Sequence, residues 1–260
     1  MPAKKKTGKS VMLPWQQQLA AYAKGGKKLK EKVVQSTYIS AKGAKYKVDG
    51  GKARNELTGV ILEACLERTF YDQPYTEGES NIPSCFALSY ELSDVVPHTA
   101  SVHKESSDCA TCELAEWMGD APPECTERRR LAMIVQTDEG ETVLRTLSLP
   151  PTSLKNWREF YKDIIGQGFE LMQMSVVISF DEDSSMAYPP MLFEAVKEIK
   201  NAKQLEELVA NMPKAQELLE QGYDASGYKD YSKKKGTKKK GTKKKGAKKK
   251  GTKKKSKFSL

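Results

Sequence analysis

The residues best equipped for chemistry lie in "CATCELAEWMGDAPPECTERRR", Cys109 to Arg130, where three of the five cysteines fall within seventeen positions and three arginines follow. Cys109 and Cys112 form a Cys-x-x-Cys knuckle that can present two thiolates from one tight turn, half of a tetrahedral site. Cys125 lies far enough along the loop to fold back as a third donor. For the fourth, Cys85 in "IPSCFALSYEL" is favoured, since four thiolates make a closed structural site; His103 stands behind it, and His98 in the same "PHTASVH" segment is also chemically suitable. A structural zinc is the expected occupant, and an iron–sulfur cluster would accept the same thiolates. Asp108, Glu113 and Glu116 beside the knuckle are harder donors that zinc passes over for sulfur. A catalytic zinc needs an open position and a general base such as the Glu of a His-x-Glu motif, and neither histidine has that context. Cys65, inside the apolar "VILEACLE", reads as a buried free thiol acting as a small hydrophobe.

The alternative to a metal is a disulfide. The chain has no run of 18 apolar residues, and its basic start "MPAKKKTGKS" is followed by no apolar segment, so a membrane span and a secretory signal are not expected. The expected location is the cytoplasm, where disulfides rarely persist. An odd number of cysteines points the same way, toward metal.

Charge is segregated along the chain. Of 44 basic residues, 16 lysines fall in residues 233–257, which contain no acid, leaving 28 basic against 34 acidic groups elsewhere. Residues 4–32 hold nine more lysines and one glutamate, so residues 33–232 carry 19 basic and 33 acidic groups, a net charge of −14. The C-terminal arm repeats Lys-Lys-Lys-Gly-Thr or -Ala four times. It lacks apolar residues, its lysines repel one another, and it should be disordered in isolation. A polyanion is its natural partner, because dense lysine releases condensed counterions when it neutralises phosphate.

Elements must position these groups. "LPWQQQLAAYA" starts as a short helix, and "STYISAKGAKYKVDGG" reads as two strands with Gly43 at the turn. "ELTGVILEACLERTFYD" reads as a buried strand with an aromatic end, "SCFALSYEL" as another, and "RRRLAMIVQT" and "TVLRTLSLP" form a hairpin around Asp138-Glu139-Gly140-Glu141. Thr152 or Ser153 caps a helix that buries Leu154, Trp157, Phe160, Tyr161 and Ile164 and ends at Gly166 or Gly168. "FELMQMSVVISFDE" returns as a strand, and residues 190–221 read as a helical pair with Pro213 opening the second helix. The expected fold is mainly β with helices, α+β: an OB-like Greek-key barrel with a zinc-knuckle insert. The expected divisions are a basic arm over 1–32, a core over 33–189 containing the Cys insert 98–127, C-terminal helices over 190–222 and a disordered basic tail over 223–260.

"WQQQLAAYA", "IPSCFAL", "VPH", "CATC", "CTERRRLAMIV", "LPPTSLKNWREFY" and "MSVVISF" together resemble a group of phage-encoded single-stranded-DNA-binding proteins, over about residues 12–195. The resemblance implies a β-rich core, zinc on Cys85, Cys109, Cys112 and Cys125, and sequence-nonspecific binding of single-stranded DNA in phage replication or recombination, with replication proteins as further partners. This chain departs from the group in its acidic, Pro-rich "GDAPPEC" loop and in ending on a basic rather than an acidic tail.

A sequence-neutral single-strand binder needs a cationic track and aromatic platforms. Arg128, Arg129, Arg130, Lys42, Lys45, Lys47 and Arg68 are the cationic candidates, and Tyr38, Tyr46, Tyr71 and Tyr75 the aromatic ones. The arginine triplet could equally be a solvated strand entry. RNA, or duplex DNA held through the lysine tail, is a further possible ligand; a duplex-condensing protein and an adaptor for a host protein are the rival readings. No phosphate-cradling Gly-rich loop or His-Glu-x-x-His is present, and Asp181, Glu182 and Asp183 read as the exit loop of a strand, so no enzyme is expected.

Overall fold

The computed structural model describes residues 37–73, 82–93, 95–186, 188–225 and 228. The two lysine-rich arms, the helix expected near Trp15 and the candidate Tyr75 lie outside the described residues. Strands β1 (Ser40–Ala41) and β2 (Tyr46–Lys47) form a small hairpin. Its turn, Lys42-Gly43-Ala44-Lys45, holds Gly43 and Ala44 at positive φ, 63° and 54°. That pair of left-handed residues suits the twist of a tight hairpin.

The main sheet has six strands: β3 (Glu56–Phe70), β4 (Cys85–Ser89), β5 (Thr126–Gln136), β6 (Thr142–Leu149), β7 (Met174–Phe180) and β8 (Met191–Glu198). Its order is β6-β5-β3-β7-β8, every pairing antiparallel, with β4 also on β3. The long β3 organises it. One edge pairs with β5, while the other is shared end to end: Glu56–Val60 pairs with β7 and Leu66–Phe70 with β4. A register shift between Ile61 and Glu63 bends β3 between those halves. Gly59 lets β5 come close, since a Cβ there would sit 2.5 Å from the Ile134 carbonyl oxygen.

The strand runs are apolar because both faces of the sheet are covered. Helix α1 (Leu154–Gly166) buries Trp157, Phe160 and Ile164 on one face, against Leu57, Ile61, Leu131 and Met133. Tyr161, expected to pack with them, is 45 % exposed. On the opposite face α2 (Ala202–Ala210) and α3 (Met212–Glu220) press Leu208, Ala215 and Leu219 against Val60, Leu62, Cys65 and Ala132. Pro213 opens α3 as expected, but Met191–Glu198 is a strand rather than part of a helical pair. Its alternating burial and its pairing with β7 override the helix-forming Leu, Glu, Ala and Lys in that segment.

The fold is α+β with an antiparallel sheet. The expected OB-like Greek-key barrel is not closed among the described residues, because β6 and β8 end the strand order at opposite edges. No helix among the described residues is long and apolar enough to cross a membrane.

Candidate metal centre and nucleic-acid interface

The register of β3 brings distant cysteines together. Cys85 opens β4 opposite Phe70, and Thr126 opens β5 opposite Thr69, so Cys125, one residue earlier, and Cys85 lie on either side of the end of β3. The insert between β4 and β5 folds over that end. Cys109 is buried with Leu66, Ala87 and Val95, and its N–H donates to the Val95 carbonyl at 2.9 Å. Ala115 donates to the Cys112 carbonyl and Cys125 to that of Leu114, which folds the loop back on the knuckle. Burial pushes the Cys109 thiol up to about 11, with the charges of Cys85 and Cys112 adding to the rise against Arg68. Cys125 is pushed up to about 12, again by burial first, with Arg68 opposing and Cys109, Cys85 and Cys112 contributing.

All four thiols are therefore within electrostatic reach of one another, and all are free. They do not reach coordination geometry: among the described residues no group of three or more His, Cys, Asp or Glu side chains is arranged to hold a metal ion. By donor chemistry alone, four sulfurs are a set that zinc accepts. The histidines are engaged elsewhere. His98 stacks on Phe86 at 4.8 Å and its Nδ1 accepts from Ala100 N–H. His103 donates its backbone N–H to Ser84 and sets its ring edge-on to Tyr228, leaving a buried Nε2 without a hydrogen-bond partner. Cys65 is buried on the other face of β3, where its thiol points at the Leu219 carbonyl.

The nucleic-acid candidates divide into three places. Lys42, Lys45 and Lys47 are all exposed on the β1–β2 hairpin. Arg68, whose charge acts on Cys109 and Cys125, and Arg129 share the Glu127 carboxylate with Arg158 of α1, at 3.8, 3.1 and 3.2 Å respectively. Three guanidiniums on one carboxylate leave a local excess of positive charge. Arg128 is half-buried on the opposite face of β5, in register with Glu67, and Tyr71 is half-buried with its hydroxyl pKa raised by burial. Two candidates are not available to a ligand in this conformation. Tyr46 is fully buried and stacked on Phe180 at 4.6 Å. Arg130 is fully buried, because alternation along β5 turns it under α3.

Arg130 belongs to a buried polar cluster. Its Nε donates to Glu67 Oε1 at 3.0 Å, and Nη1 donates to the carbonyls of Leu219 and Gln221, at 3.4 and 2.7 Å, where α3 ends. A cation there complements the negative end of the helix. Glu67 also accepts from Ser148 and from the Tyr223 hydroxyl. Burial alone would raise the Glu67 pKa; Arg130 and the donated hydrogen bonds overcome it and hold the carboxyl below its ordinary value. Tyr38 completes the cluster, its ring parallel to that of Tyr223, 6.3 Å away.

No family model matches this chain, and no curated protein or solved structure matches it significantly. The site is therefore read from its own geometry. Glu67 and Tyr223 are the residues that sequence reasoning missed. Two glutamates, Glu63 and Glu67, inside the largely apolar "VILEACLERTF" were the available signal, since a carboxylate buried in a strand requires a partner.

Proposed function

We propose that the chain is a sequence-nonspecific single-stranded-DNA-binding protein on an OB-like core, with a structural zinc on Cys85, Cys109, Cys112 and Cys125. The observation that carries this reading is the connectivity. With the short β4 set aside and the strands numbered from β3, the remaining five run 3-2-1-4-5 across the sheet, and the helix α1 joins the third of them to the fourth. We read that order and helix placement as OB-like; an OB fold is a partly open barrel whose second and third strands and neighbouring loops bind oligonucleotides. The Cys insert occupies the loop between the first and second strands, one of those loops.

Zinc would supply a tetrahedral staple that fixes the insert to the ends of β4 and β5, and with it the Arg68–Arg129–Arg158 cluster. The lysines of the two arms provide the attraction for phosphate that residues 33–232, of charge −14, lack as a whole, and those of the β1–β2 hairpin add a local cationic patch. Replication or recombination intermediates are the proposed setting, and the cytoplasm the proposed location. The acidic Asp181-Glu182-Asp183 loop connects β7 to β8.

The test is competition between single-stranded and duplex DNA for the chain shortened to end at Ser232, repeated at several salt concentrations. The reading expects single strands to win. Equal binding of both, or binding lost entirely with the lysine repeats, would instead establish a tail-driven, duplex-condensing protein.

A further inference from the structure

We infer that the pocket formed by Tyr38, Phe86, Arg130 and Glu67 is a nucleobase site, and that the chain's own Tyr223 occupies it in the absence of ligand. This deepens the single-strand reading and rests on it. The pocket lies on β3, β4 and β5, roofed where α3 gives way to the irregular strap 221–225. Tyr223 sits in it as a base would. Its ring is parallel to Tyr38 within 9° and meets Phe86 edge-on at 5.0 Å. The guanidinium carbon of Arg130 is 5.5 Å from the Tyr38 ring centre and 5.2 Å from that of Tyr223. The polar edge of the Tyr223 ring, its hydroxyl, donates to Glu67 Oε1 at 2.7 Å.

Aromatic faces, a guanidinium plane and a carboxylate acceptor are the groups that hold an unpaired base: stacking for the ring, hydrogen bonds for its edge. Ser148 of β6 also donates to Glu67, so the pocket reaches the second and third strands of the proposed OB-like order. The occupant is held by a strap with little regular structure. Arg130 donates to the Gln221 carbonyl and sits against the Tyr223 ring, and Gly222 lies so close to the insert that a Cβ would come 2.9 Å from the His98 ring. In sequence the strap precedes the lysine repeats that begin at Lys233. Binding must displace Tyr223, and the measured affinity is the intrinsic affinity scaled by the fraction of molecules with the pocket open.

The full-length chain tests this at a salt concentration high enough to suppress lysine–phosphate attraction, with oligo(dT) as the probe. Tyr223→Ala should tighten oligo(dT) binding by about tenfold, and Tyr223→Phe, which loses only the Glu67 hydrogen bond, by less. Hydrogen exchange on the unmodified protein supplies a second measurement that needs no variant: bound oligo(dT) should speed exchange of the amides at 221–225. If Tyr223→Ala folds and binds no tighter, or if oligo(dT) leaves the strap amides unchanged or slower, Tyr223 is a structural latch and the inference is overturned. If oligo(dT) binds neither the unmodified chain nor the variant under these conditions, the single-strand reading falls together with it.

Discussion

Glu67→Gln should be among the most destabilising conservative substitutions in the chain. Both Glu67 and Arg130 are 0 % exposed, and the carboxylate takes hydrogen bonds from Arg130, Ser148 and Tyr223. Replacing it with a neutral amide strands the guanidinium without its counter-ion, and breaking a buried pair in this way costs about 3–5 kcal/mol. For a folded unit of this size that corresponds to a fall in Tm of roughly 6–20 °C. The assay is thermal or urea unfolding of Glu67→Gln, Arg130→Met and the Glu67→Leu/Arg130→Met double variant. The double variant should lose far less than the two single losses added together, because neither charge is then left alone. The pH dependence follows from the sign of the shift. The folded pKa of Glu67 lies below its unfolded value, so the native state binds fewer protons there; its stabilisation is complete above the ordinary glutamate range and is lost as pH falls through the folded pKa. Glu67→Gln should remove that part of the acid sensitivity. A single-variant cost under about 1 kcal/mol, or losses that simply add, would refute the claim that this pair holds the sheet to α3.

Elemental analysis of protein purified under reducing conditions should find about one zinc per chain; Cys109→Ser and Cys125→Ser should each abolish it, while Cys65→Ser should leave it in place. Because burial raises the Cys109 and Cys125 thiol pKa values to about 11 and about 12, metal must displace protons, so binding should release protons and weaken as pH falls. Gly59→Ala should cost about 1–3 kcal/mol in a urea melt, since its Cβ would press on the β5 backbone at Ile134. Ala44→Gly should stabilise the chain by about 0.5–1 kcal/mol in the same assay, because Ala44 holds φ 54° at the hairpin turn.

Elements whose pattern is dictated by burial were legible in the sequence. The apolar run of β3 reflects a strand covered on both faces, the β5–β6 hairpin announces itself through Asp138–Glu141, and the period of α1 gave its buried face except at Tyr161. Strand β8 was not legible, since an edge strand with one solvated face tolerates helix-forming residues and takes its state from its neighbour. The arginine triplet was legible as charge but not as geometry. In a strand, successive side chains alternate, so Arg128 and Arg130 share a face with Glu67 while Arg129 faces Glu127 and Arg158; three consecutive arginines cannot form one patch. The thiol spacing announced Cys109, Cys112 and Cys125, but the arrival of Cys85 depends on β3–β4 register. Tyr223 and Glu67 meet across 156 residues, a separation over which no local pattern carries information.

On the proposed single-strand reading the distribution of charge would divide the labour of binding, and salt would separate the parts. If each of the 16 lysines in residues 233–257 neutralised one phosphate of a single strand, the slope of log K against log salt would steepen by about 11. A base held by stacking and by hydrogen bonds to a buried pair releases no counterions and adds nothing to that slope. Shortening the chain to Ser232 should therefore flatten the salt dependence far more than it weakens binding at high salt, where stacking is what remains. If affinity at high salt fell in proportion to the slope, the lysines would be carrying the whole interaction, and the acidic body would serve only to tether them.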